Sequence, residues 1–422
     1  MKIVLTSDIH GNLPALEAVL RHAREQGAGE TILNLGDSIG YGPEPEKVVC
    51  WLQHSRVISL QGDYDKKVLS KKHRKERWAR VNNADKRLMF AWTYDSLSKK
   101  SRKFLKSLPE KRSFVFNNLR ILMTHTSPDP ESQYLDSETS LKRLGELADQ
   151  VDVDVVLFGH SHRAFVRTLN DVSFINPGSV GRLDDSDPRG SYALLDITDG
   201  KLQTQLFRVP YNITAAVQAL RQKGLPDVFC QVIRQGLNYD DIVHQFGENP
   251  AVDWLDPNGI VTLLTDYGLN DHFVGVMKGV IAEIAPQARV IDINHQVQSQ
   301  DVPEAAHMLA QSAPHFPAGT VHVAGIDPGV GTQRRSLAAQ IGSQFFVAPD
   351  NGVLSPLIDR ANKNGETLFI IRLDQPQYWL PETSHSPHGR DIFAPIAAHL
   401  ANGVPLQKLG HSINDPVLIN VS

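Results

Sequence analysis

The sequence predicts an α/β protein with two successive α/β domains. Short apolar runs that suit buried strands alternate with amphipathic helical stretches, and several of these runs end in an aspartate or a histidine. The alternation is interrupted at residues 237–258, which are rich in turn-forming residues, and it starts again at Ile260. A length of 422 residues suits two or three domains. We therefore expect a first domain over residues 1–236, a linker over 237–258 and a second domain over 259–422.

The composition excludes several classes of protein. Hydrophobic residues make up 41% of the chain, as in ordinary globular domains, and a net charge of −4 gives no general affinity for nucleic acids. No apolar stretch approaches the ~20 residues of a membrane-spanning helix, and the N-terminus lacks the regions of a signal peptide. Cys50 and Cys230 stand far apart, without disulfide or zinc spacing. We therefore expect a cytoplasmic protein that requires neither a membrane nor nucleic acid.

The first predicted strand is followed by two side chains that can bind a metal. Residues 3–5 form an apolar run, and Asp8 and His10 come soon after it. Two residues apart on an extended segment, their side chains point the same way and can share one cation. A helix should follow, because Pro14 suits a first helical turn and Gly27 can end the apolar pattern beyond it. Taken alone, Asp-x-His is equally compatible with an ordinary turn at a strand end.

The next two strands repeat this arrangement. The apolar runs at 32–35 and 57–60 are followed by Gly-Asp pairs, which place Asp37 and Asp63 at the ends of the strands. Ligands bind outside the carboxyl ends of strands in α/β sheets of this kind. Together with Asp8, the sequence therefore has three aspartates at strand ends, where a ligand would bind.

Histidines take this place after two later strands. The predicted strand at 119–124 ends at His125, and the one at 153–158 ends in Gly-His-Ser-His, which contributes His160 and His162.

Residues 66–110 and 211–236 are predicted to be helical. The first of these stretches contains a basic run at 71–75. That run is compatible with attraction of an anionic substrate and with a solvated helix face.

Seven side chains that can ligate a metal therefore follow predicted strands. They are Asp8, His10, Asp37, Asp63, His125, His160 and His162. Imidazole and carboxylate groups suit divalent transition metals, of which we expect manganese first, with iron, nickel or zinc as alternatives. Two such ions roughly 3.5–4 Å apart would share a bridging carboxylate, clamp a phosphate and activate a water. The alternative is a metal-free α/β sandwich with the same strand ends.

The order of these motifs resembles that of the calcineurin-like metallophosphoesterases, in a bacterial phosphodiesterase-like branch, over residues 1–236. The turn at 176–181 also matches that branch. The resemblance implies a four-layer αββα sandwich that hydrolyses a small phosphoester or nucleotide, more readily a diester than a monoester. It also assigns the ligands in three sets: Asp8, His10 and His162 to one metal, Asp63, His125 and His160 to the other, and Asp37 as the bridge. Asp63 and His125 are further expected to act in catalysis.

Three residues depart from the family's pattern. Asp63 stands where the family usually has asparagine, and its extra negative charge should tighten metal binding and repel the phosphate. Tyr64 takes the place of a histidine that protonates the leaving group, and a tyrosine with a reference pKa near ~10 is a poor acid at neutral pH. Thr126 follows His125 where glycine is usual, which would narrow the site. An intact fold with weakened catalysis is therefore an alternative.

The second half of the chain carries its own ordered motifs. They lie at residues 263–268, 274–279, 292–295, 325–332, 334–335, 348–353 and 388–395. Asp266 and Asp327 follow predicted strands, and Asp266 could accept hydrogen bonds from two ribose hydroxyls. Each motif alone is also compatible with a simple turn.

Together these motifs resemble the S-adenosylmethionine hydroxide adenosyltransferases, relatives of fluorinating and chlorinating enzymes, over residues 259–422. The resemblance implies that Asp327, Arg334 and His388 orient and polarise the water that attacks the ribose C5′ carbon. It gives Asp266 the ribose-binding role, with S-adenosylmethionine as substrate and adenosine and methionine as products. The enzyme would mainly position a partly desolvated water in line with a good leaving group.

The family's β-rich C-terminal domain, which completes the adenine pocket across a subunit interface, would begin where this sequence ends. We therefore expect the chain to hydrolyse S-adenosylmethionine slowly or not at all. One alternative is that the second domain is a nucleoside-sensing or oligomerising module, which would make the chain a homo-oligomer. The other is a binding protein in which both sites are degenerate.

Overall fold

A computed structural model describes the chain in seven stretches: 1–55, 57–70, 83–129, 134–246, 255–329, 331–381 and 388–420. The basic run at 71–75 lies outside these stretches. The chain divides into two units, Met1–Ala251 and Val252–Ser422, and each has its own sheets and helices. Every helix in the described stretches is too short or too polar to cross a lipid bilayer.

Two sheets form the centre of the N-terminal unit. Their strands are β1 (Lys2–Thr6), β2 (Ile32–Asn34), β3 (Ile58–Ser59), β4 (Lys111–Phe116), β5 (Leu119–Thr124), β6 (Val155–Leu157), β7 (Phe165–Leu169), β8 (Val172–Asn176), β9 (Gly190–Thr198) and β10 (Lys201–Val209). The sheet orders are β10-β9-β1-β2-β3 and β4-β5-β6-β8-β7. β1, β2 and β3 are parallel, as are β5, β6 and β8, so the carboxyl ends within each set meet at one edge.

The apolar runs of the sequence become the core between these sheets. Leu5 and Leu33 of the first sheet share one buried cluster with Met123 and Leu157 of the second, and each is at most 1% exposed. Burying a side chain of this size contributes about 1.5–3 kcal/mol. The contact between the two inner faces therefore holds the strand ends of both sheets at a fixed separation.

Helices cover the outer faces of the sheets. They are α1 (Leu13–Glu25), α2 (Pro45–His54), α3 (Asp63–Leu69), α4 (Ala84–Ser96), α5 (Lys99–Ser107), α6 (Leu141–Gln150), α7 (Ile213–Gln222), α8 (Asp227–Gln235) and α9 (Tyr239–Phe246). Asn12 caps the N-terminus of α1, because its side chain accepts a hydrogen bond from the Ala15 N–H. The helix packs on β9. On the second sheet, Leu144 and Leu147 of α6 pack against Phe174 of β8. The predicted αββα layering is therefore confirmed.

Helix α9 lies inside the segment that the sequence assigns to the linker, 237–258. Asn238 accepts a hydrogen bond from the Asp241 N–H, which suits the start of a helix. Tyr239 is 2% exposed, and its hydroxyl lies within hydrogen-bond distance of Asn83 and Asp85. Its apolar residues follow the helical spacing i, i+3, i+4 and i+7, at Tyr239, Ile242, Val243 and Phe246, so the linker prediction overlooked a helical pattern that the sequence carries.

The C-terminal unit is built on one seven-stranded sheet. Its strands are β11 (Ile260–Thr265), β12 (Arg289–Asn294), β13 (Val321–Gly325), β14 (Ser336–Ile341), β15 (Gln344–Pro349), β16 (Leu368–Leu373) and β17 (Gly410–Ile413), in the order β12-β11-β13-β15-β14-β16-β17. The helices are α10 (Phe273–Ile284), α11 (Val302–Ser312), α12 (Ser355–Asn364) and α13 (Ala394–Ala401). The first four strands in that order are parallel, and Asp266 and Asp327 follow two of them, β11 and β13. The predicted second α/β domain is therefore confirmed.

Candidate functional site

The seven predicted metal ligands all follow strands of the N-terminal unit, six of them in turns or loops and Asp63 as the first residue of α3. Five of them have φ angles between 49° and 67°: Asp8, His10, Asp37, His160 and His162. This left-handed region is uncommon for residues other than glycine, although aspartate and histidine enter it more often than most. Such conformations persist only where the surrounding structure enforces them, and they cluster at functional sites.

Asp8, His10 and His162 form a first group of donors. Asp8 Oδ1 lies 3.2 Å from His162 Nε2 and 3.9 Å from His10 Nε2, and the two imidazole nitrogens are 3.3 Å apart. Asp8 and His10 are fully buried, and His162 is 2% exposed. One donor atom from each residue can therefore reach a common point.

Asp37, Asp63, His125 and His160 form a second group. His125 Nε2 lies 3.2 Å from Asp37 Oδ2 and 3.2 Å from Asp63 Oδ1. His160 Nδ1 is also 3.2 Å from Asp63 Oδ1, so the carboxylate of Asp63 lies between two imidazoles. Asp37 is fully buried, whereas the side chains of Asp63 and His160 are about a quarter exposed. The site is open to solvent on the Asp63 side.

The tautomer of His125 is fixed from outside the group. Its Nδ1 lies 2.9 Å from the carbonyl oxygen of Leu35, which can only accept a hydrogen bond. Nδ1 therefore carries a proton, and Nε2 is the nitrogen that faces Asp37 and Asp63. Histidines that bind metals are commonly oriented by such a bond from the other ring nitrogen.

Two carboxylate oxygens are left without hydrogen bonds inside the site. Asp8 Oδ1 and Asp37 Oδ2 make no hydrogen bond among the described residues, although an imidazole nitrogen lies 3.2 Å from each. A buried, unsatisfied carboxylate oxygen costs at least ~1–3 kcal/mol unless something compensates for it. The donor set, carboxylates and imidazoles around two points, is the chemistry that divalent transition metals bind.

The charges within the site displace the pKa values of its members in opposite directions. Burial raises the pKa of Asp37 well above its usual range, and the attraction of His125 does not reverse this. Burial also opposes the ionised form of Asp8, but His162, together with His125 and His10, outweighs it and holds the pKa of Asp8 well below its usual range. For His125, burial lowers the pKa, but Asp37 and Asp63 attract the proton strongly enough to raise it overall. Negative charge therefore dominates the field at His125.

Asp65, in the first turn of α3, ties together the segments that carry Asp37 and Asp63. It is fully buried, and it accepts hydrogen bonds from the backbone N–H groups of Ser38, at 3.0 Å, and Gly62, at 3.0 Å. These residues adjoin Asp37 and Asp63. A Cβ at Gly62 would overlap the Asp37 carboxylate, so only glycine fits where the two turns meet. Burial raises the pKa of Asp65 to about 6.

The turn at 176–181 likewise joins two segments that carry metal-binding side chains, those of Asp8 and of His160 and His162. The Asn176 amide donates to the Gly159 carbonyl at 2.9 Å, and the Ser179 hydroxyl donates to the Asp8 carbonyl at 2.8 Å. A Cβ at Gly159 would lie 2.7 Å from Asp8 Oδ2, so this approach also requires glycine. The turn therefore connects the segment that carries His160 and His162 to the one that carries Asp8.

Two tyrosines and an arginine border the first group. The hydroxyls of Tyr41 and Tyr64 are 3.2 Å apart, and burial raises the pKa of Tyr64 well above its usual value. Arg182 lies over the ring of Tyr41, with Cζ 4.1 Å from the ring centroid. Arg182 was not among the residues predicted for the site. Its position directly after the turn at 176–181 is the signal in the sequence that points to it.

Three of the predicted site residues of the C-terminal unit come together. Arg334 forms an ion pair with Asp327, and its Nη2 lies 3.3 Å from His388 Nδ1. His388 Nδ1 is 3.8 Å from Asp327 Oδ2. Burial and the neighbouring guanidinium lower the pKa of His388. Asp266 has a different partner, because its Oδ2 accepts a hydrogen bond from the Gln300 N–H at 2.9 Å.

Arg334 and His388 also line a cavity of about 660 Å³. Arg372, Trp379 and Asp391 line it as well. Its volume falls within the range of small-molecule sites. The cavity therefore leaves room for a ligand beside the cluster of Asp327, Arg334 and His388.

Comparison with known families divides the chain in the same way as the structure does. Residues 1–200 match the calcineurin-like phosphoesterase superfamily domain, and residues 261–410 match the SAM hydroxide adenosyltransferase N-terminal domain, where SAM is S-adenosylmethionine.

Individual relatives follow the same division. A protein named (R)-S-adenosyl-L-methionine hydrolase from Salinispora arenicola is 44% identical over 161 residues, which cover 38% of this chain and 60% of the relative. An uncharacterized protein from Methanocaldococcus jannaschii is 30% identical over 247 residues, or 53% of this chain and 94% of that protein. The chain spans about three fifths of the length of the hydrolases that it matches.

Among solved structures, a hypothetical protein from Pyrococcus horikoshii aligns with a TM-score of 0.51 at 19% identity. The alignment covers 56% of this chain and 98% of that one, and the likeness concerns the fold alone.

Proposed function

We propose that the chain is a metal-dependent phosphodiesterase joined to a domain that binds S-adenosylmethionine. It belongs to the calcineurin-like phosphoesterase superfamily through residues 1–200. It also carries a SAM hydroxide adenosyltransferase N-terminal domain at residues 261–410. The phosphodiesterase activity belongs to the N-terminal unit. Its substrate is a small phosphodiester or nucleotide, and manganese is the first metal to test.

One observation carries the proposal for the N-terminal unit: seven carboxylate and imidazole side chains converge in two groups whose donor atoms can each reach a common point. A protein that needed these residues only for folding would not concentrate three acids in one buried site, because burial opposes their charge. Asp8, His10 and His162 would hold one divalent ion, and Asp63, His125 and His160 a second, with Asp37 between them. When bound, the ions would lower the pKa of a water and polarise the phosphoryl oxygens.

The residues of the chain also determine which diesters should react fastest. Hydrolysis forms a bond between phosphorus and the water oxygen and breaks the bond to the leaving alcohol. The leaving oxygen needs a proton, and Tyr64, at the place of the family's histidine, holds its proton too tightly to give it up readily, because burial raises its pKa. We therefore expect aryl diesters, whose leaving groups are weak bases, to react much faster than alkyl diesters.

The test is a panel of phosphomonoesters and phosphodiesters, assayed with the full chain after chelation and after addition of manganese, iron, nickel or zinc. Metal content is measured in the same samples. Diester hydrolysis that depends on about two ions per chain and is lost in Asp37→Ala would support the proposal. Full activity and stoichiometric metal in Asp37→Ala would overturn the bridging role of that residue.

For the C-terminal unit, the convergence of Asp327, Arg334 and His388 beside a 660 Å³ cavity supports binding of S-adenosylmethionine. A charged pair that already holds its own geometry can orient a water without rearrangement. The water oxygen would attack the ribose C5′ carbon and release methionine. The alternative for this unit is a nucleoside-sensing role without chemistry.

Two measurements on the 422-residue chain separate these roles. Isothermal titration with S-adenosylmethionine reports binding, and chromatographic detection of adenosine reports hydrolysis. Adenosine formation that His388→Ala abolishes would support the catalytic role. Binding without adenosine would support sensing, and absence of both would overturn the proposal for this unit.

A further inference from the structure

Arg182 is a buried cation beside the candidate metal centre. It exposes 9% of its surface, and its Nε has no hydrogen-bond partner among the described residues. Its Cζ lies 4.1 Å from the ring centroid of Tyr41 and 5.6 Å from that of Tyr64. Contacts with ring faces stabilise a guanidinium by only about 0.5–2 kcal/mol, which does not replace the hydrogen bonds lost on burial. The guanidinium therefore has unused capacity to donate hydrogen bonds.

The backbone of Arg182 is tied directly to the candidate centre. Its N–H donates to the Ser179 hydroxyl at 2.8 Å, and that hydroxyl donates to the carbonyl of Asp8 at 2.8 Å. Any shift of Arg182 would thus disturb the turn that carries a metal ligand. Arg182 is held in place by the same segment that positions Asp8.

The two tyrosines place the guanidinium on the His10 side of the centre. The His10 ring meets the ring of Tyr41 edge-on at 5.6 Å and that of Tyr64 edge-on at 5.2 Å. Arg182 and His10 therefore contact the same pair of rings. The tyrosine hydroxyls, 3.2 Å apart, add two further hydrogen-bonding groups. The result is a cluster of donors next to a candidate metal ligand.

The charge balance of the candidate metal centre leaves a need for the positive charge of Arg182. The two donor groups contain three carboxylates, Asp8, Asp37 and Asp63, which would leave two divalent cations with a single net positive charge. A phosphodiester anion would then meet a weak field. Arg182 adds one positive charge, because a guanidinium stays protonated at every physiological pH. It also offers planar paired donors that match phosphate oxygens.

We propose that Arg182, supported by the hydroxyls of Tyr41 and Tyr64, binds a non-bridging oxygen of the substrate phosphate and offsets the negative charge of Asp63. This rests on the proposed phosphoesterase function and assigns the oxyanion-binding part of that site. The ligand class is a tetrahedral phosphate or phosphate diester. Arg182 is on this basis a substrate-binding residue, and the tyrosines position it.

Inorganic phosphate is the probe. Its affinity for the full manganese-loaded chain is measured by isothermal titration and as the competitive inhibition constant in diester hydrolysis. Loss of a charge-assisted hydrogen bond should weaken phosphate binding about tenfold or more in Arg182→Gln. Arg182→Lys, which keeps the charge and loses the planar fork, should fall between that variant and the unaltered protein. The metal content should be unchanged in both.

The double variant Asp63→Asn/Arg182→Gln tests the charge argument. It removes one negative and one positive charge, so it should bind phosphate more tightly than Arg182→Gln alone. Arg163→Gln is the control, because Arg163 is a neighbouring cation that pairs with Asp184 at 3.5 Å and is 41% exposed. Its phosphate affinity should stay within about twofold of the unaltered protein.

The outcomes separate this proposal from the parent function. Phosphate binding that depends on Arg182 in a chain that hydrolyses no diester would keep the subsite and overturn the activity. Diester hydrolysis with unchanged phosphate affinity in folded Arg182→Gln would overturn the subsite and keep the activity. If Arg182→Gln fails to fold, full phosphate affinity in Arg182→Lys would overturn the proposal.

Discussion

The candidate sites of the two units treat charge in opposite ways. In the N-terminal unit, buried carboxylates face one another and their imidazole neighbours with oxygens left unsatisfied at Asp8 and Asp37. In the C-terminal unit, Asp327 already has its cation, Arg334, and His388 completes the set. Burial opposes the charge of Asp37 until a cation arrives, whereas Asp327 already has a cation beside it.

The difference separates two kinds of preorganisation. A site whose charges are unbalanced draws its ligand through that imbalance, and its own stability rises when the ligand binds. A site whose charges are balanced internally gains little from charge and must select its ligand by shape and hydrogen bonding. Removing a charge should therefore have opposite effects on the stability of the two units.

The largest expected effect follows from Asp37→Asn, which removes a buried charge and keeps the shape. Phosphodiesterase activity should fall by several orders of magnitude, while the metal-free protein becomes more stable, because burial opposes the ionised form of Asp37. Calorimetric unfolding of the metal-free chain measures the second effect. Asp350→Asn is the matched control, since Asp350 is buried but pairs with Arg335 at 2.6 Å, and it should destabilise the protein. A destabilised Asp37→Asn would contradict the comparison.

The converse substitution in the C-terminal unit is Arg334→Ala. It leaves the carboxylate of Asp327, only 6% exposed, without its cation. Breaking a buried pair in this way costs about 3–5 kcal/mol. The loss is measured by denaturant unfolding, and Arg334→Lys should restore part of it. An Arg334→Ala protein as stable as the unaltered one would show that the pair does not hold this site together.

Histidines sharpen the comparison through pH. The carboxylates around His125 raise its pKa, whereas burial without an anion lowers that of His322 to about 4 from a reference of 6.5. His322 must therefore be neutral for the unit to fold, and its contribution is complete above pH 6.5. Stability should fall by about 3 kcal/mol as the pH drops from 6.5 to 4. His322→Gln should lose distinctly less stability over that range; an identical pH profile would exclude His322 as the cause.

The smallest effect concerns Asp65, which joins the turns of Asp37 and Asp63. In Asp65→Asn an amide group replaces one oxygen, so the bonds to Ser38 and Gly62 cannot both remain. Metal affinity should fall about 10- to 100-fold, as for other outer-shell partners. Titration with manganese measures it, and Asp65→Glu distinguishes loss of charge from loss of fit. Unchanged affinity in Asp65→Asn would mean that the turns hold without this bridge.

The α/β class and the position of the seven donors after strands could be predicted because these features are local in the sequence. Each donor follows an apolar run, and parallel strands bring their carboxyl ends to one edge of a sheet. The layering, the ligand sets and the convergence of Asp327, Arg334 and His388 were implied by the family resemblances instead. Their assigned roles remain predictions.

Other features depend on contacts that leave no pattern in the sequence. Arg182 matters because it lies on Tyr41 and Tyr64, which are distant in the chain. Asp65 looks like one more acid in a helix until its backbone partners are known. Helix α9, which the sequence prediction assigned to the linker, is different, because its apolar residues do follow a helical spacing. Tertiary contacts, rather than local preference, decide the importance of Arg182 and Asp65.

The left-handed turn at Asp37 bears on how the sequence could drift over time. Asparagine enters this region of backbone conformation as aspartate does, and burial opposes the charge of Asp37. A lineage released from the need for the site would gain stability by a single substitution of Asp37 to asparagine. The acid thus persists against the fold's own preference, which makes this turn a point of local frustration in an otherwise consistent energy landscape.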